Sequence, residues 1–131
     1  MGSFGDYAEN KILDHITGKT SFTKPTAYIA LSTADPTDDG SGIAEPSGNG
    51  YARVTTSGSD WDAASSGATA NAAIISFPTA TGSWGTITHF AIFDASTSGN
   101  MLAHGELDTP TAISTNQIAR FAIGAFDITL D

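Results

Sequence analysis

Residues 86–107, TITHFAIFDASTSGNMLAHGEL, decide the fold. Thr86 to Phe93 is rich in β-branched and aromatic residues and carries apolar groups on both faces. It reads as a central strand, covered on either side. The segment ASTSGN, residues 95–100, has the Gly-Asn pair and small polar residues of a hairpin turn. Met101 to Leu107 then pairs back as the antiparallel partner. An antiparallel hairpin at the centre of the chain points to a β fold built from short local connections.

The same pattern continues outward in both directions. Downstream, Thr111 to Ile113 is a short strand before a turn at Ser114 to Asn116, and Gln117 to Ile123 follows. Phe126 to Leu130 closes the chain, with Phe126, Ile128 and Leu130 facing in and Asp127, Thr129 and Asp131 facing out. Upstream, Tyr28 to Ser32, Tyr51 to Thr55 and Ala73 to Phe77 read as strands. Residues 57–71 are rich in Ser, Gly and Ala, with Trp61 as an anchor. Trp84, between Gly82-Ser83 and Gly85, reads as a plug closing one end. Residues 33–50, TADPTDDGSGIAEPSGNG, form a long polar loop, and loops of this length in a compact domain are usually functional or mobile.

One helix is expected, over residues 3–17. Phe4, Ala8, Ile12 and Ile16 recur every four residues, and Tyr7 and Leu13 widen the stripe. Ser3 is placed to cap it, Asp6 and Glu9 sit at the positive dipole end, and Gly18 follows as a stop. Such a stripe can close the end of the chain's own core or dock on a neighbouring subunit. Seven or eight short strands without strand–helix alternation predict an all-β, antiparallel β-sandwich, jelly-roll or Greek-key-like, with one N-terminal α-helix. The chain is expected to be one domain, 1–131, with the sandwich over 26–131.

Composition narrows the function. The 131 residues carry 14 acidic against 5 basic side chains, a net charge of −9. Lys11, Lys19, Lys24, Arg53 and Arg120 are scattered along the chain and make no basic stripe for nucleic acid. No run approaches the length of about 20 apolar residues that a membrane helix needs. With no cysteine, disulfides and thiolate metal sites are excluded. Asp6 stands where an N-myristoylation signal wants Ser or Thr.

The search for chemistry leaves no site standing. His89 and His104, with Glu106 nearby, could meet across the hairpin, but strand histidines are more often ordinary surface or interface residues than zinc ligands. Asp35-Pro36-Thr37-Asp38-Asp39-Gly40 breaks the alternation of a calcium loop and puts Pro46 at its twelfth position. No G-x-S-x-G elbow or phosphate-binding loop is present. Asp60 and Asp62 share one strand face at best, unlike a glycosidase pair across a cleft. Trp61, Trp84, Tyr28 and Tyr51 could stack on sugars, but core packing is the plainer reading. The chain is therefore expected not to be an enzyme and to need no cofactor or metal.

The runs LSTADPTDDGSGIAEPSGNGYARV (31–54) and ISFPTATGSWGTITHFAIFDASTSGNMLAHGEL (75–107) resemble a family of small virion proteins of tailed bacteriophages. The opening YAENKILDHITGKT (7–20) and the ending FDITLD (126–131) resemble it too. Its members are often labelled tail fibre proteins, and some act as head decoration or cement proteins. The resemblance implies a structural virion protein with no catalytic residues, made in the host bacterial cytoplasm. A compact chain of this length has a radius of gyration of about 14 Å. That favours a capsid decoration or cement subunit on the outer surface of the head, bridging capsid proteins. A tail or head fibre component, or a receptor- or glycan-binding module, is the alternative. The expected partners are the major capsid protein or other virion proteins, plus copies of itself as a dimer or trimer, with no nucleic acid and no membrane. Candidate contact residues are Phe4, Tyr7 and Lys11 on the helix and Asp35, Asp38, Asp39 and Glu45 in the long loop.

Overall fold

The computed structural model describes residues 2–130. Those residues form strands β1 (Gly2–Phe4), β2 (Tyr28–Ser32), β3 (Val54–Thr55), β4 (Ala68–Ala70), β5 (Ile75–Ser76), β6 (Gly85–Phe93), β7 (Met101–Ile113), β8 (Arg120–Phe121) and β9 (Asp127–Thr129). Helix α1 (Asp6–Ile16) lies between β1 and β2, and Gly58–Asp60 make a short 3-10 turn. One seven-stranded sheet has the order β3-β2-β6-β7-β1-β9-β4, and β5 and β8 form a second, two-stranded sheet. The architecture is sandwich-like and mostly β, with one helix.

The β6–β7 hairpin is the spine. Its turn needs left-handed backbone at Ser98 and Gly99, and Asp94 accepts hydrogen bonds from the main chain and side chain of Asn100. β6 is covered on both faces, which explains its poor alternation. Phe90 and Ile92 enter the main core with Ile29, Leu31 and Ala103. Ala91 and Phe93 face the other way, toward Ala30, Met101 and the loop residue Ile43. The long loop therefore roofs the second face of the sheet.

Two expected strands, 101–107 and 111–113, are one. The register passes from Ile87↔Thr111 to His89↔Glu106, so Leu107 to Pro110 bulge opposite Thr88. Pro110 is tolerated there because a bulge removes the demand for a ladder N–H.

The N-terminus differs from expectation in a way that moves a candidate residue. The helix starts at Asp6, not Ser3, because Gly2–Phe4 pair with Ala103–Gly105 of β7 instead. Close approach enforces this. A Cβ on Gly2 would lie 2.9 Å from the Phe90 ring, and one on Gly5 would lie 2.9 Å from the Asp38 carbonyl oxygen. Gly5 therefore occupies the cap position, and Phe4 belongs to a strand. β1 also runs parallel to β9 through Gly2↔Ile128, so the sheet is mixed and not purely antiparallel.

Other elements are shorter than expected. Tyr51–Thr55 contributes only β3, Ala73–Phe77 only β5 and Gln117–Ile123 only β8. β4 falls inside the Ser-, Gly- and Ala-rich segment 57–71, where no strand was expected and its pairing with β9 sustains it. Phe126 and Ile128 are buried as expected, but Leu130 is half exposed. The expectation for Asp131 lies outside the described residues. Trp84 is buried edge-on against Tyr51 and Phe77, and its indole N–H donates to Asn49 O at 2.8 Å. Its burial is as its setting suggested.

Candidate interaction surface

Four of the seven candidate residues meet. Tyr7, Asp38, Asp39 and Glu45 line one open cavity of about 450 Å³, together with Gly40, Arg53 and the hairpin tip Ser98–Met101. Phe4 lies across the helix on a separate apolar groove. Lys11 sits with its ammonium 5.5 Å from the Tyr7 ring centre. Asp35 accepts a hydrogen bond from the Thr37 N–H at 2.9 Å, a local turn contact.

The cavity's polar groups hold the roof onto the sheet. Arg53 is nearly buried. Its Nε and Nη2 donate to the two Glu45 oxygens at 2.9 and 2.8 Å, a fork-on-fork pair. Its Nη1 donates to the carbonyls of Ala95 and Ser98, and the guanidinium lies 3.8 Å from the Phe93 ring centre. One side chain thus ties the loop, the strand and the hairpin tip together. Tyr51 donates its hydroxyl to Glu45 at 2.7 Å and accepts the Leu31 N–H. Burial works to raise the Glu45 pKa, but the hydrogen bonds from Arg53 and Tyr51 outweigh it and hold the carboxyl below its ordinary value. Burial, and then the bond to Glu45, push the Tyr51 hydroxyl well above the usual phenol range.

The loop's other acids work on the loop itself. Asp39 accepts from the Thr37 hydroxyl and the Ser41 N–H, and these bonds lower its pKa to about 2. Asp38 lies 2.9 Å from His104 Nε2. Its carbonyl accepts the Asp6 N–H and so completes the helix start.

The remaining candidates from sequence are dispersed. The register sets His89 opposite Glu106 and His104 opposite Ala91, so the two histidines do not face each other directly. His89 lies 2.8 Å from the Thr88 hydroxyl. Asp60 ends the 3-10 turn in a capping box with Ser57 and does not share a strand face with Asp62. Among the described residues no three His, Cys, Asp or Glu side chains are grouped to hold a metal ion, and no helix is long and apolar enough to cross a membrane.

Sequence reading passed over two polar residues that matter. Arg53 stood only as one of five scattered bases. Asn71, fully buried, donates from Nδ2 to Ala73 O and Ala122 O and accepts the Phe126 N–H at Oδ1, each at 2.9 Å. No spacing signal marks such an asparagine, since the partners other than Ala73 lie some 50 residues away along the chain.

The fold is a mixed β-sheet roofed by a clasped loop whose ordered acids are engaged inside the molecule. The chain belongs to the family described as Podophage GP4 fiber I protein gp80, whose model matches residues 3–129. It is thus a member of a phage virion structural protein family. Comparison with curated proteins returned no match.

Proposed function

We propose that this chain is a compact docking unit of a phage fibre, joining or anchoring the appendage by binding other virion proteins. The family match over nearly the whole chain carries the reading. A chain with a radius of gyration of about 14 Å does not extend far alone, so it acts as one unit among several. The reading is non-enzymatic: the most strongly perturbed acids, Asp39 and Glu45, serve the loop's own architecture. Trp84 and Tyr51, two of the four rings that could stack on a sugar, are committed to packing and internal hydrogen bonds, which favours protein docking over glycan binding.

The compact fold also supports a second reading, a decoration or cement subunit on the head. A clamp that binds the assembled lattice and not its loose subunits stabilises the lattice by mass action. Copy number separates the two. Quantitative mass spectrometry of purified virions should find this chain far below the major capsid protein, with immunogold label on an appendage. A copy number matching the capsid protein and label over the head would replace the fibre reading with decoration. Absence from virions would overturn both.

A further inference from the structure

The two sheets leave an opening between them. A cleft of about 550 Å³ draws its lining from β7 between Glu106 and Ile113 and from residues 117–121, the segment that carries β8. Leu31, Ile87 and Phe90, all buried core residues, line it too, so the opening reaches the main core. Its volume is in the range of pockets that hold ligands. Along this stretch β7 has a strand partner on one edge only. β6 pairs with it as far as Ile113, whereas β1 pairs with Ala103–Gly105 alone. Among the described residues β8 pairs with β5 and no other strand. Asp108 to Ala112 are exposed, so main-chain groups on that edge of β7 are open to an outside partner.

Three exposed charges belong to the lining itself: Glu106 and Asp108 from β7, and Arg120 from β8. Among the described residues none of these three side chains has an ion-pair or hydrogen-bond partner. Charges unmatched within the chain are left to be matched from outside it. Two acids against one base disfavour an acyl carboxylate or a phosphate and favour an occupant that brings a cation. An acyl chain would also leave the open edge of β7 unmet, whereas a peptide main chain can bond to it. Pro110 has no N–H and interrupts that edge, which weighs against a second copy zipping its own sheet onto it.

We propose that this cleft takes an extended segment of another virion protein. The segment places an apolar side chain between the sheets, a lysine or arginine beside Glu106 and Asp108, and a carboxylate beside Arg120. The stretch Leu107–Ile113 is roughly 20 Å long, which suits a segment of about six residues. An apolar centre inside a charged rim is the anatomy by which one buried anchor carries a contact. The inference rests on the docking-unit reading and names its surface and the chemistry of its partner.

Photo-cross-linking in intact virions tests it, with the full chain carrying Ile118→benzoylphenylalanine or, separately, Thr109→benzoylphenylalanine. Both positions line the cleft, and Ile118 is 43% exposed. Irradiation should link the chain to one other virion protein, and digestion should place the link on a segment with an apolar residue and a basic neighbour. Ile16→benzoylphenylalanine, outside the cleft, is the reference. Glu106→Lys with Asp108→Lys, and separately Arg120→Glu, alter exposed side chains. They should keep the wild-type circular dichroism spectrum and lower the cleft cross-link at least about tenfold. No link from either cleft position, a link only to a second copy, a linked segment without a basic residue, or a yield indifferent to the charge reversals would overturn the proposal. Links from Ile16 but not from the cleft would refute the cleft and leave the docking-unit reading standing, whereas a chain absent from virions would refute both.

Discussion

Replacing Asn71 by alanine should be among the most damaging single changes in the molecule, although the residue touches no candidate surface. Its side chain makes three hydrogen bonds of 2.9 Å, to Ala73 O, Ala122 O and the Phe126 N–H. Its main chain adds two more, donating to Phe126 O and accepting from Gly124. The residue joins the β4–β5 connection to the segment that delivers Phe126 into the aromatic core. There Phe126 lies 4.2 Å from Phe90 and 4.8 Å from Phe121 between ring centres. Asn71→Ala removes three bonds worth about 1 kcal/mol each net and leaves buried main-chain groups without partners, so a loss of about 3–4 kcal/mol is expected. For a chain this long that lowers Tm by roughly 10 °C or more. Urea unfolding followed by tryptophan fluorescence measures it, with an unchanged slope as the check that only stability moved. Asn71→Asp gives an internal comparison. It can still accept the Phe126 N–H, but as a carboxylate it faces two carbonyls with no proton to donate. Its deficit relative to wild type should therefore narrow in acid, where a protonated carboxyl can donate one bond. A loss below about 1 kcal/mol for Asn71→Ala would refute the view that this side chain joins the two segments.

Three further outcomes follow from the clasp and the core. Arg53→Ala should cost about 2 kcal/mol, because it strands Glu45 in a half-buried site, and should speed amide exchange in residues 37–45 relative to the rest of the sheet. Acid should loosen the same loop: the folded pKa values of Glu45 and Asp39 are depressed, so their contribution is present above the ordinary carboxyl range and lost as pH falls through the folded values. Carbon-detected NMR should place the Asp39 midpoint at about 2, and Thr37→Val should move it toward 3.8. Trp84→Ala should cost about 3–5 kcal/mol in thermal or urea unfolding, whereas Trp84→Phe should cost less, since it retains most of the ring contacts and loses the bond to Asn49 O.

What could be read from the sequence was what is decided locally. The β6–β7 hairpin was legible because its turn residues and its two-sided apolar strand lie within one short stretch. Trp84 was legible as a buried ring because a large side chain among glycines has few other uses. The helix start was misread for a physical reason. Ser3 and Asp6 form a plausible capping pair, but β7 offers a strand edge, and three residues of sheet pairing prevailed over one cap. The loop drew attention for its length and acidity, yet its acids serve largely to fold it. Arg53 and Asn71 were invisible because each also acts on partners more than 40 residues away, and a single polar residue in a Ser- or Gly-rich stretch has the same appearance whether it is solvated or buried.

The helix stripe shows how the two uses of one pattern divide. From the sequence, a stripe through Phe4, Ala8, Ile12 and Ile16 could close the chain's own core or meet a neighbour. The fold uses the stripe unevenly. Phe4 has left it for the sheet, Ala8 is enclosed, and Ile12 is part-covered at the groove edge, while Ile16 stands almost fully in water with Leu13 beside it. A helix needed only as a lid would gain nothing from apolar residues beyond the core's rim, where charged side chains favour solubility. Those two residues follow Ile12, which lines a groove with no charged side chain, and share their helix face with Asp6 and Glu9. One stripe thus does two things, closing the core at its N-terminal end and standing in water at its C-terminal end.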